Sequence, residues 1–157
     1  MTPTTIEIRV PLIEQTLSIL RESGSRNSEG IALWLGRKTE DRTQVLEVYV
    51  PEHEAEYDYF HIPPRAMSAL LSYLGRNEYF VAAQVHSHPK EAFHSDADDR
   101  WAIIRHEGAL SLVIPNFGRG VYTGNILDLA ALFRLDGRNV WMGVSTNKSK
   151  ELIAITQ

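Results

Sequence analysis

The stretch "QVHSHPKEAFHSDADDRWA", residues 84–102, gathers three histidines, two serines and three aspartates within nineteen positions. His86 and His88 stand two apart. On a β-strand residues i and i+2 share a face, so both imidazoles would be presented to one side. That arrangement can put two nitrogens on one zinc ion, each about 2.0–2.1 Å away. An HxH pair on its own is common by chance, and the residues after it carry the argument further. Pro89 removes a ladder donor and ends the strand. Ser95 then stands where a helix N-cap is expected, with Asp98 three residues on. Two histidines and a carboxylate leave a fourth tetrahedral position for water, the pattern of catalytic rather than structural zinc. The bland reading makes Ser95 a plain cap and Asp96, Asp98 and Asp99 first-turn residues that complement the helix dipole.

Composition limits the alternatives. The 157-residue chain has no cysteine, which removes disulfides, thiolate zinc sites and cysteine nucleophiles, so any metal must be held by His and carboxylate. Sixteen basic against twenty acidic residues give a formal charge of −4. No basic field or local cluster recruits nucleic acid or an anionic membrane. The N-terminus lacks a basic region followed by a long apolar run, and no segment offers about 18 consecutive apolar residues. A cytoplasmic protein with one domain over residues 1–157 is expected, its core supported by 43% apolar residues.

The elements that must position these side chains read as follows. "TIEIRV" alternates Ile6, Ile8 and Val10 as a half-buried strand does. "PLIEQTLSILRESG" carries a helical stripe of Leu12, Ile13, Leu17 and Leu20, with proline early and Gly24 as terminator. "GIALWLG" and "QVLEVYVP" are two strands joined by the turn "RKTEDRT". An aromatic, irregular stretch spans Tyr57 to His61. "PPRAMSALLSYLGR" is a second helix, with Met67, Leu70, Leu71 and Leu74 on one face and Gly75 at its end. "EYFVAAQVHSH" is apolar without strict alternation, as a central strand covered on both faces would be. A third helix is expected from about Asp96 to His106. "ALSLVIP" is a further strand, "ALFRLDGRNVWMGV" a hairpin turning at Asp136 and Gly137, and "ELIAITQ" an edge strand. The sum is an α/β or α+β sandwich, a mixed sheet with about three helices. Trp34, Trp101 and Trp141 are expected in the core, and His53, His61, His94 and His106 at loops or helix ends.

"HSHP" followed by SxxD, Ser95 to Asp98, resembles the metal signature of the JAB1/MPN/Mov34 metalloenzymes, the JAMM family. Members carry a glutamate far upstream in a context like ExxGxLxG. This chain reads "EGIALWLG", with Glu29 and Gly36 in register while Ala32 and Trp34 replace the middle Gly and the Leu. Chain order is similar too, over roughly residues 5–145. The resemblance implies an MPN/JAB-like, cytidine-deaminase-like sandwich holding Zn2+ through His86, His88 and Asp98. Glu29 would then be the general base for a zinc-activated water, and Ser95 a donor to the oxyanion. It further implies hydrolysis of the isopeptide or peptide bond after the C-terminal tail of ubiquitin or a ubiquitin-like protein, in the company of activating and conjugating enzymes. The alternatives are an MPN scaffold that binds without catalysis, and a zinc peptidase acting on a sulfur-carrier precursor or small peptide.

One departure leaves the third ligand open. The family usually has seven residues between the second His and the Ser, whereas Pro89 to His94 supply six. Asp99 keeps the usual His-to-Asp separation, and Asp98 keeps the SxxD spacing. An apolar arc of Ala97, Trp101, Ala102 and Ile104 favours Asp98 as the aspartate that faces the sheet. A substrate tail would add to a strand edge near the zinc cleft, with "EYDYFHIPP" and "PNFGRG" as the places to look.

Overall fold

A computed structural model describes residues 5–55, 57, 60–93 and 103–157. An eight-stranded mixed sheet runs in the order β10-β1-β3-β2-β6-β7-β8-β9. Its strands are β1 (Thr5–Arg9), β2 (Ile31–Lys38), β3 (Arg42–Tyr49), β6 (Phe80–Ser87), β7 (Leu110–Ile114), β8 (Ala131–Leu135), β9 (Trp141–Val144) and β10 (Ile153–Thr156). Two short strands, β4 (Glu54–Ala55) and β5 (Phe60–His61), pair with each other apart from it. Among the described residues the helices are α1 (Val10–Ser25), α2 (Pro64–Asn77), α3 (Ile126–Leu129) and α4 (Thr146–Leu152), with a 3-10 turn over Asn116–Gly118.

Helices cover both faces of the central strands, which is why β2 is buried from Ile31 to Gly36 and β6 from Val81 to Ser87. On one face, Ile13, Leu17 and Leu20 of α1 pack against Ala32, Trp34, Val85 and Leu112. The Trp34 indole N–H donates to Thr16 Oγ1 at 3.0 Å, so the largest buried ring of that face is tied to α1 as well as packed beneath it. On the other face, Ala66 and Leu70 of α2 cover Ile31, Leu33, Leu35 and Val81. The middle of the sheet therefore has two cores, back to back.

The strand and helix readings hold for these central elements, and four details differ. α2 does not stop at Gly75: it runs to Asn77, and Glu78 takes the left-handed conformation at φ 55° that closes it, its side chain free in solvent. The turn between β8 and β9 is wider than an Asp-Gly pair, because Asp136 Oδ1 accepts from the amides of Arg138 and Val140 and Asn139 supplies the positive φ. "ELIAITQ" is divided: Leu152 closes α4, and only Ile153–Thr156 is a strand, parallel to β1 at the sheet edge. The helix expected to reach His106 does not cover 103–106. The Ile103 amide donates to Gln84 Oε1 at 3.0 Å, and Ile104 is buried in irregular chain. The first part of that helix lies outside the described residues. Trp34 is buried and Trp141 half-buried, while Trp101 is also outside them.

Candidate metal centre

β2 and β6 are antiparallel neighbours with Ile31 opposite His86. The end of β6 thus lies beside the start of β2, and Gly30 and Ser87, 57 positions apart in sequence, come into hydrogen-bond contact. Residues opposite one another across a ladder share a face, so His86 stands on the Ile31 face, the one covered by α2. His88 follows two residues later on the same side, and the two rings lie 5.2 Å apart at 54°. Glu29 precedes Ile31 by two and comes to within 3.8 Å of His88, Oε1 to Nε2. Relative exposure is 1% for Glu29, 0% for His86 and 3% for His88. Three ionisable side chains are thus gathered at one end of a core otherwise made of aliphatic residues.

Backbone contacts fix the loop after β6. The His88 amide donates to Ile114 at 2.9 Å and its carbonyl accepts from Phe117 at 2.8 Å, while Asn116 donates to the Lys90 carbonyl. Two successive non-glycine residues, Asn116 and Phe117, hold φ values of 55° and 54° to make that turn, a costly conformation of the kind that collects beside functional sites. α1 supports it from behind. Gly24 lets the helix approach so closely that a Cβ there would lie 2.4 Å from Phe117 Cβ, and Arg21 donates to the carbonyls of Gly118 and Val121. Toward solvent, the Phe93 ring meets the His88 ring edge-on at 4.5 Å, and Tyr57 meets Phe117 edge-on at 5.9 Å. Phe93 is 53% exposed, so it lies at the surface and not in the core.

The structure thus brings together Glu29, His86 and His88. Ser95, Asp98 and Asp99 lie outside the described residues, as does His94, and the choice between the two aspartate registers lies with them. Among the described residues no three His, Cys, Asp or Glu side chains form a metal-binding group by themselves. The donor set nevertheless suits zinc: two imidazoles on one face with a carboxylate beside them, no thiolate, and a site sheltered from water. His53 bonds the Pro51 carbonyl through Nδ1, while His61 sits in β5 and His106 on an exposed turn.

Two polar residues of β6 escape a reading based on metal ligands. Ser87 and Gln84 are both fully buried. Ser87 Oγ accepts from the Gly30 amide, and Gln84 joins Ser111 Oγ to the Ile103 amide. A buried amide in the middle of an apolar strand is a signal, since it is tolerated only when its hydrogen bonds are made. Ser87 gives a weaker one, because a small hydroxyl between two histidines also reads as filler.

The profile of prokaryotic homologs of the JAB domain matches residues 14–116, which span both Glu29 and the two histidines. The chain is 34% identical over 143 residues, 87% of its length and 85% of the relative's, to "Probable metalloprotease y4jG" of Sinorhizobium fredii. Its fold is similar to the solution structure of protein DSY2949 from Desulfitobacterium hafniense, with a TM-score of 0.69, 19% identity, and 98% and 94% of the two chains covered. By the extent of the family match and the identity to that relative, the chain belongs to the prokaryotic JAB-domain family.

Proposed function

We propose that this chain is a zinc-dependent peptidase that hydrolyses the bond after the C-terminal tail of a ubiquitin-like protein, either in a conjugate or in a precursor. The observation that carries the reading is the buried approach of Glu29 to His88, 3.8 Å apart at the end of the strand that also bears His86. His86, His88 and Asp98, or Asp99 in the other register, would hold the metal. Bound zinc supplies a Lewis acid and a water acidic enough to ionise near neutral pH.

The chain's own residues do the rest. Glu29 is placed beside the ligand cluster to accept a proton from the attacking water and return it to the leaving amine. Ser95 is the donor proposed for the oxyanion, a role whose loss typically costs about 100- to 1000-fold in rate. Burial of Glu29 keeps bulk water from competing for that proton. The substrate tail, an extended segment, is proposed to run along the outer edge of the β4–β5 pair and past Phe93 and Tyr57, held by backbone hydrogen bonds. The name of the Sinorhizobium relative supports the protease class, and the absence of a basic field on this chain is consistent with a protein substrate.

The test is direct. Zinc-loaded protein incubated with a linear ubiquitin fusion and with a bacterial ubiquitin-like fusion should release at least one tail with a free C-terminal carboxylate, identified by mass. A chelator should stop the reaction and added zinc restore it. Both fusions remaining intact would contradict the substrate class, and cleavage indifferent to chelation would contradict the metal.

A further inference from the structure

Ser87 sits between the two histidines but faces the other way. Along β6 it shares the side of Val85, toward α1, while His86 and His88 share the opposite side. It is fully buried, and it makes two hydrogen bonds to one residue. Its Oγ accepts from the Gly30 amide at 2.8 Å, and its own amide donates to the Gly30 carbonyl at 3.0 Å. The paired register of β2 and β6 ends at Ile31 and His86, so beyond that point the serine side chain supplies the acceptor for the Gly30 amide.

Gly30 has little freedom to move. A Cβ on it would meet Leu20 Cδ2, Ser23 Cβ and Ser23 Oγ, each at 3.1 Å. Its amide nitrogen belongs to the peptide bond shared with Glu29, and that bond is planar and stiff. Holding the amide therefore fixes the plane from which the Glu29 side chain departs. The chain before Glu29 is fixed from the other side, where Asn27 turns at φ 59° and donates to the Gly24 carbonyl while Ser28 donates to the Ser23 carbonyl. Between the end of α1 and Ser87, the serine hydroxyl is the acceptor that takes the Gly30 amide.

We infer that Ser87 is a positioning residue: it clamps the Glu29–Gly30 peptide to the strand carrying His86 and His88, and so sets where the Glu29 carboxylate lies relative to them. The inference rests on the reading of Glu29 as the general base. It adds that the strand bearing the histidines also locates the base, through its opposite face. What the clamp requires is an oxygen acceptor, not volume. Ser87→Ala removes the acceptor, Ser87→Cys keeps nearly the same size with a poor acceptor, and Ser87→Thr retains the hydroxyl.

The test has one readout that needs no substrate and two that do. In Ser87→Ala and Ser87→Cys, hydrogen exchange at the Gly30 amide should accelerate about tenfold or more, while amides of the β6–β7 ladder keep their protection. Zinc per chain should stay at the wild-type value. On the ubiquitin-like fusion, kcat should fall about 10- to 100-fold with KM little changed, and Ser87→Thr should recover most of it. Unchanged Gly30 exchange in the Ala and Cys variants would overturn the clamp. So would wild-type kcat in both, or loss of zinc in step with kcat, which would make Ser87 a support for the ligands instead. A wild-type chain that cleaves nothing would overturn the peptidase reading separately, with Gly30 exchange still deciding whether Ser87 holds that peptide.

Discussion

A carboxylate taken out of water costs several kcal/mol unless the protein compensates it, so Glu29 at 1% exposure beside His88 is a placement the chain maintains against a penalty. Its value lies in what it is aimed at. The third ligand proposed for the metal is one of two adjacent aspartates, Asp98 or Asp99. Asp98→Ala should lower zinc occupancy far more than Asp99→Ala, measured as metal per chain after exhaustive dialysis, and the reverse order would move the ligand by one position. Much of this was legible residue by residue, because His and Glu announce their chemistry by type and His86 and His88 by spacing. Ser87 and Phe93 were not. Their roles are created by partners that the fold supplies: Gly30, 57 residues away, for the serine, and the ring of His88 for the phenylalanine.

Elements were legible where one force dominated. β6 read as a covered strand because it is mostly apolar without strict alternation, and α1 and α2 read as helices because their apolar residues recur at helical spacing. α4 was missed because "TNKSKEL" has no apolar stripe: it is started by Ser145, whose hydroxyl accepts from the Lys148 amide, and held by Ser149 and Leu152 alone in the interior. The β8–β9 turn depends likewise on one side chain. Two backbone amides, those of Val140 and Arg138, hold the Asp136 carboxyl below its ordinary value of 3.8. A lowered pKa means the charged form favours the folded state, so this contribution is present above about 3.8 and is lost as pH falls through the lower folded value. Asp136→Ala should lower Tm at pH 7 and make little difference at pH 2.5, followed by thermal unfolding. An equal effect at both pH values would show that the charged carboxyl is not what holds the turn.

At the scale of the whole molecule, the site exists because β2 and β6 lie side by side at the centre of the sheet, an adjacency that no local pattern encodes. The register makes it specific: Ile31 opposite His86 puts Glu29 at the histidines' end of the strand pair. α1 packs on one face of the sheet and α2 on the other, and the carboxylate and both imidazoles are buried together. No helix among the described residues is long and apolar enough to cross a membrane. The central claim is that this one end of the sheet separates two tasks, metal binding by His86 and His88 and proton transfer by Glu29. The most direct measurement is zinc content beside turnover in Glu29→Ala. The account predicts about one zinc per chain, as in the wild type, with cleavage of the ubiquitin-like fusion abolished. Undiminished cleavage, or a chain that binds no zinc in either form, would contradict it.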